Sequence, residues 1–129
     1  MNARGPICPG TGKKERFLEI EVRTQSQVKI LKLRGKLGLG APIDKLNATL
    51  TDLLNAGDFC FLLDLEEVPM IDSSGIGLLV RYLTAAKQNG GSLKLLNPSK
   101  FALQTLKLVR VLSLFEVFED LQLAVASFA

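Results

Sequence analysis

Residues 59–77 constrain the fold of this chain more than any other segment. They read FCFLLDLEEVPMIDSSGIG, an apolar run that ends in acidic residues and is followed by an Asp-Ser-Ser-Gly turn. Behind the turn, Ile76, Leu79, Val80 and Leu83 recur at helical spacing. The pattern predicts a buried strand that feeds a loop, with two serine hydroxyls at the N-terminus of a helix.

A helix N-terminus tolerates negative charge, because it presents free backbone N–H groups and the positive end of the helix dipole. A serine at that position is therefore suited to carry a phosphate. A purely structural interpretation is also open, in which Ser74 is a first-turn residue and Asp72 or Ser73 caps the helix. Asp72 either caps this helix or orients a serine hydroxyl for a kinase, and the two roles are compatible.

The chain of 129 residues contains no histidine. This excludes Ser-His-Asp and Cys-His catalytic arrangements as well as histidine metal ligation. The two cysteines, Cys8 and Cys60, are too few for a structural zinc site. A nucleophile at Ser73 or Ser74 would lack a histidine base and the flanking glycines of a nucleophile elbow. The sequence thus predicts a protein that is not an enzyme and that uses no metal or cofactor.

The charge pattern gives no sign of nucleic-acid binding. The formal net charge is +3, and much of the excess lies near the N-terminus, at Arg4, Lys13, Lys14 and Arg16. Aromatic residues make up 6% of the chain and none is tryptophan, so no basic stripe is interleaved with stacking groups. No apolar run approaches the ~20 residues that span a bilayer, and no signal-peptide core precedes the domain. We therefore expect a cytoplasmic protein without membrane insertion.

The sequence predicts a disordered tail over residues 1–15, which are rich in Gly and Pro, and a single domain over residues 16–129. The periodicity of that domain predicts a strand hairpin followed by alternating helices and strands, in the order ββαβαβαβα. The predicted elements are strands at 17–23, 28–33, 59–63, 92–96 and 115–118, with helices at 42–57, after Asp72, from about 99 to 109, and after Asp120. This order is typical of an α/β domain with a largely parallel or mixed sheet.

A family resemblance rests on Leu63-Asp64-Leu65, Val68 and the run Ile71-Asp72-Ser73-Ser74-Gly75-Ile76-Gly77, supported by the Gly90-Gly91 break before the next strand. Over residues 17–127, the chain resembles the STAS family, which includes the bacterial anti-sigma-factor antagonists. The resemblance implies a four- or five-stranded mixed sheet with helices mainly on one face. It also implies a regulatory binding protein.

In such proteins a partner anti-sigma factor acts as a serine kinase, and a metal-dependent phosphatase of the PP2C type reverses the modification. The resemblance places the phosphorylated residue at Ser74, with Ser73 as the alternative. We expect a partner-binding surface at Asp72, Ser73, Ser74, Gly75 and Ile76, where the family motif lies, and at Lys36 and Gly38, which the convergence of neighbouring strand loops adds to it. A second hypothesis is a STAS module that is not phosphorylated and acts as a signalling scaffold or as a soluble accessory subunit of a transporter.

The composition of the loop at residues 35–40 supports this second hypothesis. It is rich in glycine and carries Lys36, whereas many family members have an acidic loop there. Loops that leave the same ends of neighbouring parallel strands converge, so we expect Lys36 to lie near Ser74. Charge changes on the far side of the sheet, for example at Lys94, are expected to leave partner affinity unchanged.

Overall fold

Five strands form one sheet whose spatial order, β1-β2-β3-β4-β5, is also their order in the sequence. The computed structural model describes residues 18–128, and the tail predicted over residues 1–15 lies outside them. The elements are β1 (Glu19–Gln25), β2 (Val28–Arg34), α1 (Ala41–Asn55), β3 (Cys60–Glu67), α2 (Ser73–Gln88), β4 (Ser92–Leu96), α3 (Lys100–Leu108), β5 (Val117–Phe118) and α4 (Leu121–Ala126), with a 3₁₀ turn at Leu112–Leu114 before β5. This order confirms the predicted sequence of strands and helices.

The first two strands form an antiparallel hairpin, and every later strand pair is parallel. Ser26 and Gln27 both have positive φ, which closes the hairpin with a two-residue turn. Glu19 pairs with Arg34, so β1 begins at the same edge of the sheet at which β2 ends. The parallel strands β2, β3 and β4 therefore all end at the edge where β1 starts, which we call the carboxyl edge.

Helices α1, α2 and α3 cover one face of the sheet, and α4 covers part of the other. The larger core joins Leu46 and Leu50 of α1 to α2 and α3 and to inward-facing strand residues such as Leu31 and Leu63. A smaller core lies under α4 and contains Val28, Ile30, Leu62, Leu96, Ala124 and Val125. Because β3 contributes to both cores, its continuous apolar run is explained by burial on both faces.

Several element boundaries differ from the sequence prediction by one to four residues, and the contacts of β3 and β5 explain two of these differences. Strand β3 continues four residues past Leu63, because β2 still pairs with it as far as the Arg34–Glu67 register. Glu67 there lies 3.4 Å from Lys32 Nζ and from Arg34 Nε. Strand β5 begins two residues later than predicted, because Phe115 N–H donates to the Leu112 carbonyl (3.1 Å) at the end of the 3₁₀ turn and Phe115 does not pair with β4.

Lys94 on β4 is buried, with 5% of its surface exposed. Its Nζ donates to the Ser127 carbonyl (3.1 Å) and hydroxyl (2.9 Å) and lies 3.3 Å from Glu116 Oε2. The Phe128 ring lies 4.5 Å from the same nitrogen. Lys94 thus holds the end of the chain against the sheet, and a charge change at this position would disturb the fold. It is unsuitable as an inert surface control.

Among residues 18–128, no helix combines the length and the apolar character that crossing a bilayer requires.

Candidate functional site

The loops that follow β2 and β3 lie side by side at the carboxyl edge. Gly35 N–H donates to the Glu67 carbonyl (3.0 Å) and Leu37 N–H to the Met70 carbonyl (2.9 Å). Asp72 N–H then donates to the Leu37 carbonyl (3.1 Å), and Leu37 and Ile71 form a parallel bridge. The pairing of the two strands thus continues into the loops, and it brings the loop at residues 35–40 against the start of α2.

Asp72 is the N-cap of α2, which settles the choice between Asp72 and Ser73 as the cap. Its Oδ1 accepts from Gly75 N–H (3.0 Å), and its Oδ2 accepts from Leu39 N–H (2.9 Å). These two backbone donors, the Leu39 amide first, hold the pKa of Asp72 below its usual range, although burial opposes them. One carboxylate therefore caps α2 and fixes the neighbouring loop to it, a second function that helix-capping rules do not reveal.

Two glycines permit this close approach. A Cβ on Gly38 would lie 2.9 Å from Asp72 Oδ2, whose position two hydrogen bonds already fix. A Cβ on Gly75 would lie 2.7 Å from the Leu37 carbonyl oxygen and 2.9 Å from a methyl group of Ile71. The absence of side chains at these positions allows the loop and helix to pack.

Gly77 differs from both. It lies on the exposed side of α2, and a Cβ there would have no neighbour within 4 Å. Glycine inside a helix costs roughly 0.5–1 kcal/mol relative to alanine. No contact within the described domain explains why glycine stands at this position.

The remaining predicted site residues divide into an exposed and a buried group. Ser73 is exposed and Ser74 half-buried, as the first two residues of α2. Lys36 is exposed on the adjacent loop and forms no ion pair with any residue of the described range. Gly75 and Ile76 are buried and support the surface from below.

Three exposed apolar side chains also lie at this edge, and the sequence did not predict them. Leu39 is 80% exposed, Met70 54% and Phe101 66%. They follow β2, β3 and β4, and Ser99 places the start of α3 at the same edge by donating its amide to the Leu65 carbonyl and its hydroxyl to the Val68 carbonyl. We call Leu39, Met70 and Phe101 the apolar rim. Only the topology brings them to one edge, so no local signal could have identified them.

The comparison with family models is decisive for the fold. A model described as the STAS domain matches residues 19–124, most of the chain. The chain belongs to the STAS family. Its five-stranded mixed sheet with four helices is the α/β fold that the resemblance implied. No curated protein matched the sequence in a direct comparison.

Several solved structures share this STAS fold. An anti-sigma factor antagonist from Mycobacterium paratuberculosis has a TM-score of 0.76 at 14% identity, and the match covers 86% of this chain and 93% of that one. Unphosphorylated SpoIIAA of Bacillus, an anti-sigma factor antagonist, has a TM-score of 0.73 at 18% identity over 84% of this chain and 95% of its own. A sulfate transporter family protein from Wolinella succinogenes has a TM-score of 0.65 at 23% identity over 81% and 87%. At these identities the similarity establishes the fold.

Within residues 18–128 of this STAS domain, no three acidic or cysteine side chains are grouped so that they could hold a metal ion. The site instead combines a helix N-terminus, two serines and exposed apolar side chains. Such a surface can bind a protein, and its charge can be changed by a covalent group on a serine.

Proposed function

We propose that this STAS domain is an anti-sigma-factor antagonist that binds a protein partner at the carboxyl edge and is switched by phosphorylation of Ser74. The observation that carries the proposal is the position of Ser74, in the first turn of α2 and at the edge that bears the apolar rim. The similar fold of SpoIIAA, solved in unphosphorylated and phosphorylated forms, supports it.

The proposed switch follows from charge and desolvation. A phosphate adds about −1.5 to −2 charges at neutral pH. At Ser74 that charge would stand two residues from Asp72, which is held ionised by the Leu39 and Gly75 amides. A partner that covers the apolar rim must also remove water from the phosphate, which costs several kcal/mol unless it supplies compensating cations. Phosphorylation should therefore release the partner.

The proposed partners are an anti-sigma factor with serine kinase activity and a metal-dependent phosphatase of the PP2C type that restores the serine. Ser74 is the proposed acceptor, and Ser73, the more exposed of the two, is the alternative. The proposed residues of the contact surface are Asp72, Ser73, Ser74, Lys36 and Gly38, with Gly75 and Ile76 beneath them. We propose a cytoplasmic location, where such a kinase and ATP are available.

A second candidate function is binding without phosphorylation, as a scaffold or as an accessory subunit of a transporter. The cationic loop at Lys36 and the shared fold of the Wolinella sulfate transporter family protein favour it. A basic loop can recruit an acidic partner with no phosphate involved.

Incubation of the full chain with purified anti-sigma kinases of its own organism and ATP, followed by intact-mass and peptide mass spectrometry, tests the proposal. We expect one phosphate per chain, lost in Ser74→Ala and retained in the matched control Ser73→Ala. Loss of the phosphate in Ser73→Ala but not in Ser74→Ala would show that Ser73 is the acceptor. Tight kinase binding with no phosphate incorporated would favour the second candidate.

A further inference from the structure

The first strand, β1, begins at the edge that carries the candidate site. Leu18 is buried in the main core, and its carbonyl accepts a hydrogen bond from Lys45 Nζ (2.8 Å). The next residue, Glu19, pairs with Arg34 at the end of β2. The first strand therefore begins beside the end of β2, from which the loop at residues 35–40 continues.

We propose that residues 1–17 bind over the apolar rim in the free protein and occupy the surface that the partner would use. Occupation of the rim is an inference about this chain by itself. Its consequence for partner binding rests on the proposed function.

The segment is long enough to do this. The distance from the start of β1 to the rim has two components. Across the sheet, the rim lies about two strand spacings of ~4.8 Å from β1. Along the strands, the Leu37–Ile71 bridge lies three residues of ~3.3 Å beyond Arg34, so the distance is roughly 15 Å. A random coil of the same number of residues has a root-mean-square span of about 23 Å, which exceeds this distance. Because the segment is tethered, its effective concentration at the rim is of millimolar order.

Its composition complements the surface. The segment carries Arg4, Lys13, Lys14 and Arg16 against one acidic residue, Glu15, together with the apolar residues Ile7 and Phe17. The carboxyl edge offers the apolar rim and three carboxylates, Asp44, Glu66 and Asp72, that form no ion pair within the described range. Lys36 and Lys100 at this edge oppose the attraction.

A phosphate on Ser74 would shift this balance. It adds about two negative charges to a surface whose own net charge is small, opposite a segment with four cations. The segment then binds the edge more tightly, while the phosphate also disfavours docking of the partner. Phosphorylation would therefore weaken partner binding in two ways: the phosphate itself disfavours docking, and the more tightly bound segment covers the surface.

The native sequence provides the probe, because Cys8 lies in the segment and the only other cysteine is Cys60. In full-length Cys60→Ala protein, a nitroxide attached to Cys8 should broaden the amide NMR signals of Leu39, Met70 and residues 73–77 until they lose most of their intensity. The amide signals of residues 28–30, at the opposite edge of the sheet, and of Lys94, in the middle of β4, should keep their intensity. Charge reversal at Lys13, Lys14 and Arg16 to Glu, or high salt, should restore the lost signals, whereas Ser74→Asp should deepen the loss.

A measurement without label or Cys60 variant is also available. In the otherwise native chain, reversing the charge of Lys13, Lys14 and Arg16 to Glu should shift the amide signals of Leu39, Met70 and Phe101. The amide signals of residues 28–30, at the opposite edge of the sheet, should stay in place.

Three outcomes would overturn the proposal. The first is uniform broadening over the whole domain. The second is broadening centred on another exposed apolar group, at the end of α3 and after it, which contains Leu108, Val109 and Leu114. The third is broadening that persists when the nitroxide is on a separate copy, because the occupant would then be a second molecule. None of these outcomes depends on a kinase, so failure here is distinguishable from failure of the phosphorylation proposal.

Discussion

Leu39 N–H donates a hydrogen bond to Asp72 Oδ2 across 2.9 Å and so connects the loop after β2 to the N-cap of α2. The same carboxylate accepts from Gly75 N–H through its other oxygen. The placement of Lys36 and Leu39 relative to Ser74 therefore depends on this side chain as well as on the backbone hydrogen bonds between the two loops. Changes at Asp72 should affect the fold and the candidate surface together.

Asp72→Ala should cost more stability than loss of an ordinary helix cap. Capping alone accounts for about 1 kcal/mol, and the lost bond to Leu39 adds roughly 1 kcal/mol. Asp120→Ala is the matched control, because Asp120 caps α4 by the same contact to Leu123 N–H (3.0 Å) and, among residues 18–128, accepts no hydrogen bond from a second loop. Urea unfolding at neutral pH should give a larger loss for Asp72→Ala. Equal losses would mean that the Leu39 bond contributes nothing.

The contribution of Asp72 should depend on pH. Its pKa is lowered in the folded state, mainly by the Leu39 amide, so the folded protein favours the ionised carboxylate. The resulting stabilisation is fully present above the unfolded pKa, near 3.9, and is lost as pH falls through the folded pKa. The difference in unfolding free energy between the native chain and Asp72→Asn should be constant from neutral pH to about pH 5 and shrink below pH 4. A difference that grows in acid would refute this assignment.

Two substitutions of the same kind in α2 should have opposite effects on stability. Gly75→Ala forces a Cβ against the Leu37 carbonyl and Ile71 and should destabilise the domain by about 1–2 kcal/mol, overpacking outweighing the gain in helix propensity. Gly77→Ala meets open space and should stabilise it by roughly 0.5–1 kcal/mol. Thermal and urea unfolding of the two variants measure both effects. Destabilisation by Gly77→Ala would reveal an internal constraint at that residue.

The order of elements was predictable because its signals are local. Pro42 lies in the first turn of α1, Gly57 follows its end with positive φ, and Asp72 lies three residues before the amide that it caps. The convergence of the two loops also followed from the sequence, since adjacent parallel strands end at one edge.

Other features depend on packing between distant segments. The length of β3 is set by its pairing with β2 up to Arg34, and no residue of β3 encodes that limit. The burial of Lys94 depends on α4, which covers the second face of the sheet. The exposure of Leu39 and Phe101 is equally non-local, because apolar residues in isolation predict a core.

Phosphorylation of Ser74 as a switch of partner binding is the central claim, and calorimetric titration of the phosphorylating kinase against the full chain tests it most directly. Affinity is compared between the unmodified chain and the chain phosphorylated at Ser74, with Ser74→Ala as the unmodifiable reference. We predict binding weaker by more than ~1.4 kcal/mol, about tenfold, for the phosphorylated chain, with Ser74→Ala close to the unmodified protein. Equal affinity of the two forms would contradict the claim.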